Sequence, residues 1–157
     1  MDKEDFTSKI LAYEQTMYRV SMSMLKNEAD CQDAVQDTIL TAYSKINTLK
    51  NEDFFKTWVI RILINKCNKI LNNRKRNPYS EDTYIEVSGE KEENIQRKTE
   101  LRIALESLRP KIRIVMVMFY VEDFSIDEIH KVLKIPVGTV KSRLSQGRKQ
   151  MKFELIC

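Results

Sequence analysis

The chain has 157 residues, 42% of them hydrophobic and 32% charged, with a formal net charge of +4. That length suits one domain or two small ones, and only three Gly and three Pro across it favour long helices over turn-rich sheet. The three cysteines, Cys31, Cys67 and Cys157, are far apart and in no metal-ligand spacing, which argues against a disulfide scaffold or a zinc cluster and for free thiols in a reducing cytoplasm. The first residues, MDKEDFTSKI, are polar and mixed in charge, and no apolar run approaches bilayer length. The expectation is a soluble, cytoplasmic protein.

The charge is unevenly spread. Residues 1–77 carry 13 Lys/Arg against 10 Asp/Glu, residues 78–100 carry 3 against 7, and residues 101–157 carry 11 against 6. Two basic blocks around an acidic segment suggest two binding bodies and a linker.

A first helix is predicted from about Asp5 to Leu25, where Phe6, Ile10, Tyr13, Met17, Val20 and Met24 recur at three- and four-residue steps. Asn27 to Asp30 breaks the pattern and offers capping groups. A second helix is predicted from about Cys31 to Thr48, with Val35, Ile39, Ala42, Tyr43 and Ile46 as its apolar stripe. Asp33, Gln36 and Asp37 are neighbours on its other face. Two readings stand side by side for them: carboxylates favoured near a helix N-terminus, or a docking surface for a basic protein partner.

A polar loop, Asn47 to Asp53, leads to a long helix from about Phe54 to Arg76. Phe55, Trp58, Val59, Ile62, Leu63, Cys67, Ile70 and Leu71 give it an apolar side. Between Lys56 and Arg76 stand seven Lys/Arg and no acid, a footprint suited to a phosphate backbone. Phe54, Phe55 and Trp58 serve either as core or as platforms for unpaired bases. Residues 78–100 read as an acidic linker passing into helix near Glu92. Leu101, Leu105 and Leu108 mark the next helix, which Pro110 interrupts. The β-branched run Ile112 to Val121 fits strand or helix by periodicity. Helix is favoured, because Pro110 suits a first turn and no second strand is nearby to pair with.

The last stretch, Ser125 to Gln150, has the pattern of a helix-turn-helix. Ser125 and Glu128 form an S-x-x-E capping box, and Ile126, Ile129 and Leu133 follow at helical spacing. Lys134-Ile135-Pro136 is a break, with Pro136 suited to the first turn of the next helix. On that helix Val137, Val140, Leu144, Gly147 and Met151 fall on one arc. Thr139, Ser142, Arg143, Gln146 and Lys149 fall on the other, which contains no carboxylate. Arg pairs bidentately with guanine, Gln with adenine, and Ser or Thr with base edges or phosphates. The alternative is an ordinary amphipathic hairpin with a solvated basic face.

Taken together, these stretches resemble sigma factors of the ECF (extracytoplasmic function) group over nearly the whole chain. SIDEIHKVLKIPVGTVKSRLSQGRKQM looks like the family's region four, with I-P-V-G-T-V-K-S-R-L close to its usual wording. DAVQDTILTAY and FKTWVIRILINK look like its region two. The resemblance implies an all-α protein of two small helical domains: region two over 1–77, an acidic, flexible linker over 78–100, and region four over 101–157. It implies a bacterial initiation factor that binds core RNA polymerase, on the β′ coiled-coil and β flap, and directs it to promoter DNA, with an anti-sigma factor as a further partner. By the same resemblance Asp33, Gln36 and Asp37 dock on the polymerase. Lys56, Trp58, Arg61, Asn65, Lys66 and Lys69 engage the minus-ten element. Thr139, Lys141, Ser142, Arg143, Gln146 and Lys149 engage the minus-thirty-five element. The loop Asn47 to Asp53, which helps capture a flipped base in the family, is the part least like it.

No catalytic set, metal site or cofactor motif is evident: there is one His and no phosphate-cradling Gly loop. The chain is therefore expected to act by binding. Two rival readings are a stand-alone helix-turn-helix regulator and an RNA-binding or nucleic-acid-processing protein using the basic helix.

Overall fold

The computed structural model describes residues 1–76 and 95–156, and among them every regular element is helical. Three helices make the first half: α1 (Lys3–Leu25), α2 (Glu28–Ser44) and α3 (Phe55–Arg76). Four make the second: α4 (Ile95–Glu106), α5 (Pro110–Met116), α6 (Ile126–Leu133) and α7 (Val137–Ile156). None of the described helices is long and apolar enough to cross a membrane. The acidic linker expected from residue 78, and the helix start expected near Glu92, lie outside the described residues up to Ile95.

Local chemistry sets most helix ends. Asp2 caps α1 by accepting the Asp5 N–H at 2.8 Å. Asn27 caps α2 by accepting the Asp30 N–H at 3.0 Å. That cap is why α2 begins at Glu28 and not at Cys31 as the apolar stripe suggests. At its far end α2 stops at Ser44, and the expected last turn is the short 3₁₀ segment Ile46–Thr48. The Ser125–Glu128 capping box forms as expected, with both reciprocal bonds present. Lys26 and Lys134 close α1 and α6 in the left-handed region, at φ 55° and 58°, each returning its N–H to the carbonyl four residues back.

In the first half, α1, α2 and α3 pack on one another around Met17, Val20, Ala34, Val35, Val59 and Leu63. Phe6, Tyr13 and Phe55 form an aromatic cluster within it, and Phe6 meets Tyr43 edge-on. α3 is covered by α1, α2 and α6. Apolar positions outside the expected stripe, Ile60 and Ile64, are consequently buried as well. Cys31 and Cys67 are buried free thiols, and burial pushes Cys67 up to about 12, so it stays protonated at neutral pH.

The second half is organised by α5 and α7. The run from Ile112 is helical, and Pro110 occupies the first turn. Its end, Val117–Val121, widens into a π-helical turn. On α4 the buried residues are Ala104 and Leu108, whereas Leu101 and Ile103 are exposed, so the expected Leu101 side is only partly covered. Gly147 of α7 lies hard against α5: a Cβ there would meet Met116 Sδ at 2.5 Å and Ile112 Cγ2 at 3.2 Å. Absence of a side chain is what lets these two helices approach.

The halves are also in contact with each other, α5 and the π turn on α1, and α6 on α3. The buried Arg113 guanidinium of α5 donates from Nε to the Ser23 carbonyl of α1 at 2.9 Å, and from one terminal nitrogen to Leu108 and Glu106 carbonyls at 3.1 and 3.3 Å.

Gly147→Val should lower the unfolding free energy by about 2 kcal/mol in a urea titration, because it overpacks the α5–α7 contact. Gly147→Ala should cost less, since Ala regains about 1 kcal/mol of helix propensity over Gly.

Candidate nucleic-acid interface

α7 follows α6 through Lys134-Ile135-Pro136. Pro136 lies one position before the helix, and its carbonyl accepts the N–H groups of Thr139 and Val140. His130 braces this turn: its Nδ1 is 2.8 Å from the Ile135 carbonyl, with the ring placed to donate. From sequence it reads as a partly exposed helix residue, which it is, but with this specific partner. Val140 and Leu144 are buried, and Met151 lies at the rim of the core. The opposite face is open. Lys141, Ser142, Gln146 and Lys149 are exposed, and Thr139 and Arg143 are half-buried between the two faces. None of these six makes an ion pair among the described residues. Their donors are free for base edges and phosphates.

The basic helix α3 is divided. Asn65 and Lys69, in its middle, are exposed. Lys66 is half-buried and pairs with Asp37 of α2 at 3.3 Å. At the start of the helix Lys56, Trp58 and Arg61 are half-buried and lie near α6. Lys56 Nζ is 3.2 Å from Glu128 Oε1 and 4.2 Å from the Phe124 ring centroid. The three aromatics of the sequence reading separate: Phe55 is buried core, Trp58 packs tilted against it at 5.8 Å, and Phe54 is 53% exposed. Phe54, Thr57, Trp58, Arg61 and Lys131 line an open cavity of about 380 Å³. Lys131, absent from the sequence reading, has its ammonium 5.8 Å from the Phe54 ring centroid. Only a contact distant in the chain reveals it.

Asp33, Gln36 and Asp37 are all exposed on α2. Leu40, one turn beyond Gln36, is 71% exposed and extends the patch with an apolar side chain. It went unmarked in the sequence because the apolar stripe through Ile39 hides its phase.

Glu128 has two tasks. It accepts the Ser125 N–H in the capping box and pairs with Lys56. Burial pushes its carboxyl up, but the Ser125 backbone bond and the Lys56 ammonium outweigh this, and the net shift is downward.

Two family profiles match the chain: "Sigma-70 region 2" over residues 10–77 and "Sigma-70, region 4" over residues 98–151. Among curated proteins, the RNA polymerase sigma factor SigV of Bacillus subtilis is 29% identical over 160 residues, covering 99% of this chain and 96% of its own. The ECF RNA polymerase sigma factor SigW of the same organism is 27% identical and covers 98% and 90%. The ECF sigma-E factor of Escherichia coli K12 is 26% identical and covers 94% and 84%. Among solved structures, the sigma factor RpoE in complex with the anti-sigma factor NepR from Bartonella quintana superposes with a TM-score of 0.80 at 22% identity, covering 97% of each chain. CnrH in complex with the cytosolic domain of CnrY superposes with a TM-score of 0.73 at 20% identity, covering 98% and 89%.

A carboxyl held below its ordinary value stabilises the fold above that value and loses the contribution as pH falls. The contribution of Glu128 should be full above about pH 4.5 and fade at lower pH. Thermal melts of Glu128→Gln and the unaltered chain should accordingly differ at pH 7 and converge toward pH 3.

Proposed function

Because the chain belongs to the ECF group of the sigma-70 family and is a transcription initiation factor, we propose that it binds core RNA polymerase and leads it to promoters through three separate faces. Residues 1–77 act as region two, 101–157 as region four, and 78–100 as the connection between them. The exposed patch of Asp33, Gln36 and Asp37, with Leu40 beside it, docks on the β′ coiled-coil, and region four meets the β flap. Lys56, Trp58, Arg61, Asn65, Lys66 and Lys69 of α3 take the minus-ten strand, with the ring of Phe54 available for stacking. Thr139, Lys141, Ser142, Arg143, Gln146 and Lys149 of α7 read the minus-thirty-five element in the major groove.

What carries this reading is the occurrence of both family regions in one chain, in family order, each with an acid-free cationic helix. A stand-alone regulator needs only the second of these. The work done is binding: phosphate contacts supply salt-dependent affinity and register, and base contacts supply choice. The polymerase makes the bonds. The setting is the cytoplasm, with an anti-sigma factor as the antagonist; the two solved relatives are both held by such partners or a cytosolic domain.

Transcription by purified core polymerase, with and without this chain, tests the proposal. Start sites that depend on the chain support it. Tight protection of promoter DNA by the chain alone, with no gain in core-dependent initiation, returns the stand-alone regulator.

Arg143→Ala should cost about 1–3 kcal/mol of binding at promoters whose upstream element matches, and far less at mismatched ones, if it pairs with a base. Footprints over a set of upstream variants measure this, and a uniform loss makes Arg143 a phosphate contact. Changing Asp33 and Asp37 together to Ala should weaken core polymerase capture at least tenfold, with the circular dichroism melt unchanged. Unaltered capture would remove the docking role.

A further inference from the structure

The start of α3 is occupied by the chain itself. Lys56, Trp58 and Arg61, three of the six residues assigned to the minus-ten strand, lie where α6 packs on α3. The Lys56 ammonium meets the Glu128 carboxylate at 3.2 Å and the Phe124 ring at 4.2 Å. Lys131 of α6 completes the wall of the cavity formed by Phe54, Thr57, Trp58 and Arg61. Farther along α3, Asn65 and Lys69 are exposed, so the covering is confined to one end of the helix. A second ion pair joins the halves beyond this one, Arg19 of α1 donating both Nε and a terminal nitrogen to Glu122 in the loop before α6.

A DNA strand approaching Lys56 would bring a phosphate to the position that the Glu128 carboxylate holds. The two anions compete for one ammonium in one place. We propose that the contact between the halves is autoinhibitory: in the free chain Glu128 stands in for a DNA phosphate on Lys56, and α6 covers the first turns of the minus-ten reader. This rests on the reading of α3 given above. Opening exchanges one ion pair for another, Lys56–carboxylate for Lys56–phosphate, so the electrostatic difference between the two states is small. Part-exposed ion pairs of this kind are individually weak, which makes the cover reversible by a strand, or by polymerase drawing the halves apart.

The geometry also keeps the capping function separate from the masking function. Gln serves at the third position of a capping box as well as Glu does. Glu128→Gln therefore retains the bond to Ser125 while removing the charge that attracts Lys56. Asp123→Asn is the matched control: the same charge change, five residues earlier, at an exposed position whose left-handed φ of 58° Asn accepts. Arg19→Gln is the decisive partner variant. It removes a cation, so simple electrostatics predicts weaker DNA binding, whereas release of the Glu122 pair predicts tighter binding.

The test is fluorescence anisotropy of the full chain with a dye-labelled single-stranded DNA 12-mer of mixed sequence, over a salt series, with melts to confirm folding. Glu128→Gln should bind about three- to tenfold tighter than Asp123→Asn, and the slope of log K against log salt should steepen by about 0.7, the value of one more neutralised phosphate on a single strand. Arg19→Gln should bind tighter than the unaltered chain despite its lost charge. Equal affinity and slope for Glu128→Gln and Asp123→Asn, or weaker binding by Arg19→Gln, would overturn the proposal. With core polymerase present, both variants should initiate within about twofold of the unaltered chain, since the enzyme separates the halves in every case. Failure of the unaltered chain itself to support core-dependent initiation would count against the proposed function, not against the masking contact, which the binding series reads independently.

Discussion

The guanidinium of Arg113 is the constraint on which the arrangement of the two halves depends. A buried cation is costly unless its charge and its N–H groups are met. Arg113 has no carboxylate bonded to it among the described residues; its partners are the carbonyls of Ser23, Glu106 and Leu108. Ser23 belongs to the last turn of α1, and Glu106 and Leu108 lie at the end of α4. The last carbonyls of a helix lack partners and carry the negative end of its dipole. One guanidinium thus serves the C-termini of two helices from opposite halves. Neither α1 nor α4 has a basic residue in its own last turn. The α1 end also receives Arg74 of α3, which donates to the Leu25 carbonyl at 3.1 Å and pairs with Asp30. Burial pushes the Arg113 guanidinium down from its ordinary value, and it pushes Lys26 down as well, with Arg113 adding to that shift.

This explains which parts of the protein were legible in its sequence. Signals confined to a few neighbouring residues survive intact: the Ser125–Glu128 box, the cap at Asn27, Pro110 opening a helix, and the phase of Val140 and Leu144 on α7. Each depends on spacing within one helix, and tertiary contacts only reinforce it. The exposure of Asp33, Gln36 and Asp37 follows from the same periodicity. Arg113, by contrast, reads in sequence as a lone cation interrupting an apolar run. Its partner Ser23 is 90 residues away. Lys56 and Glu128 are 72 apart and Arg19 and Glu122 are 103 apart. No local pattern encodes such pairs, so Lys56 reads as a free cation of a basic face when its ammonium is already engaged.

The same reason accounts for smaller differences. A helix covered by three neighbours buries more than one stripe, which is why Ile60 and Ile64 of α3 are inside. Leu101 and Ile103 repeat at helical spacing on α4 yet stay exposed, because α4 is packed through Ala104 and Leu108. The π turn at Val117–Val121 carries no sequence signature beyond its β-branched and aromatic content. It lets the chain descend from α5 so that Phe124 is buried beside the capping box, its N–H bonded to the Met118 carbonyl at 2.9 Å.

Charge placement in the second half follows from what each surface must meet. Four of the six acids in residues 101–157 are Glu122, Asp123, Asp127 and Glu128, within seven positions of one another. Two of these four take cations of the first half, and a third, Asp127, holds Lys131 at 3.1 Å on α6. Between Glu128 and Glu154 there is no acid at all, over the turn and nearly all of α7. Negative charge is gathered where the second half touches the first, and positive charge is left on the helix that faces outward. The concentration of acids in one loop and one helix turn does two things at once. It keeps phosphate-repelling groups off α7, and it gives the basic first half an anionic surface to rest on when no nucleic acid is there. The acid-free α7 face and the acid-rich start of α6 are therefore one design: each could be changed alone only by weakening either the outward face or the contact that Arg113 secures.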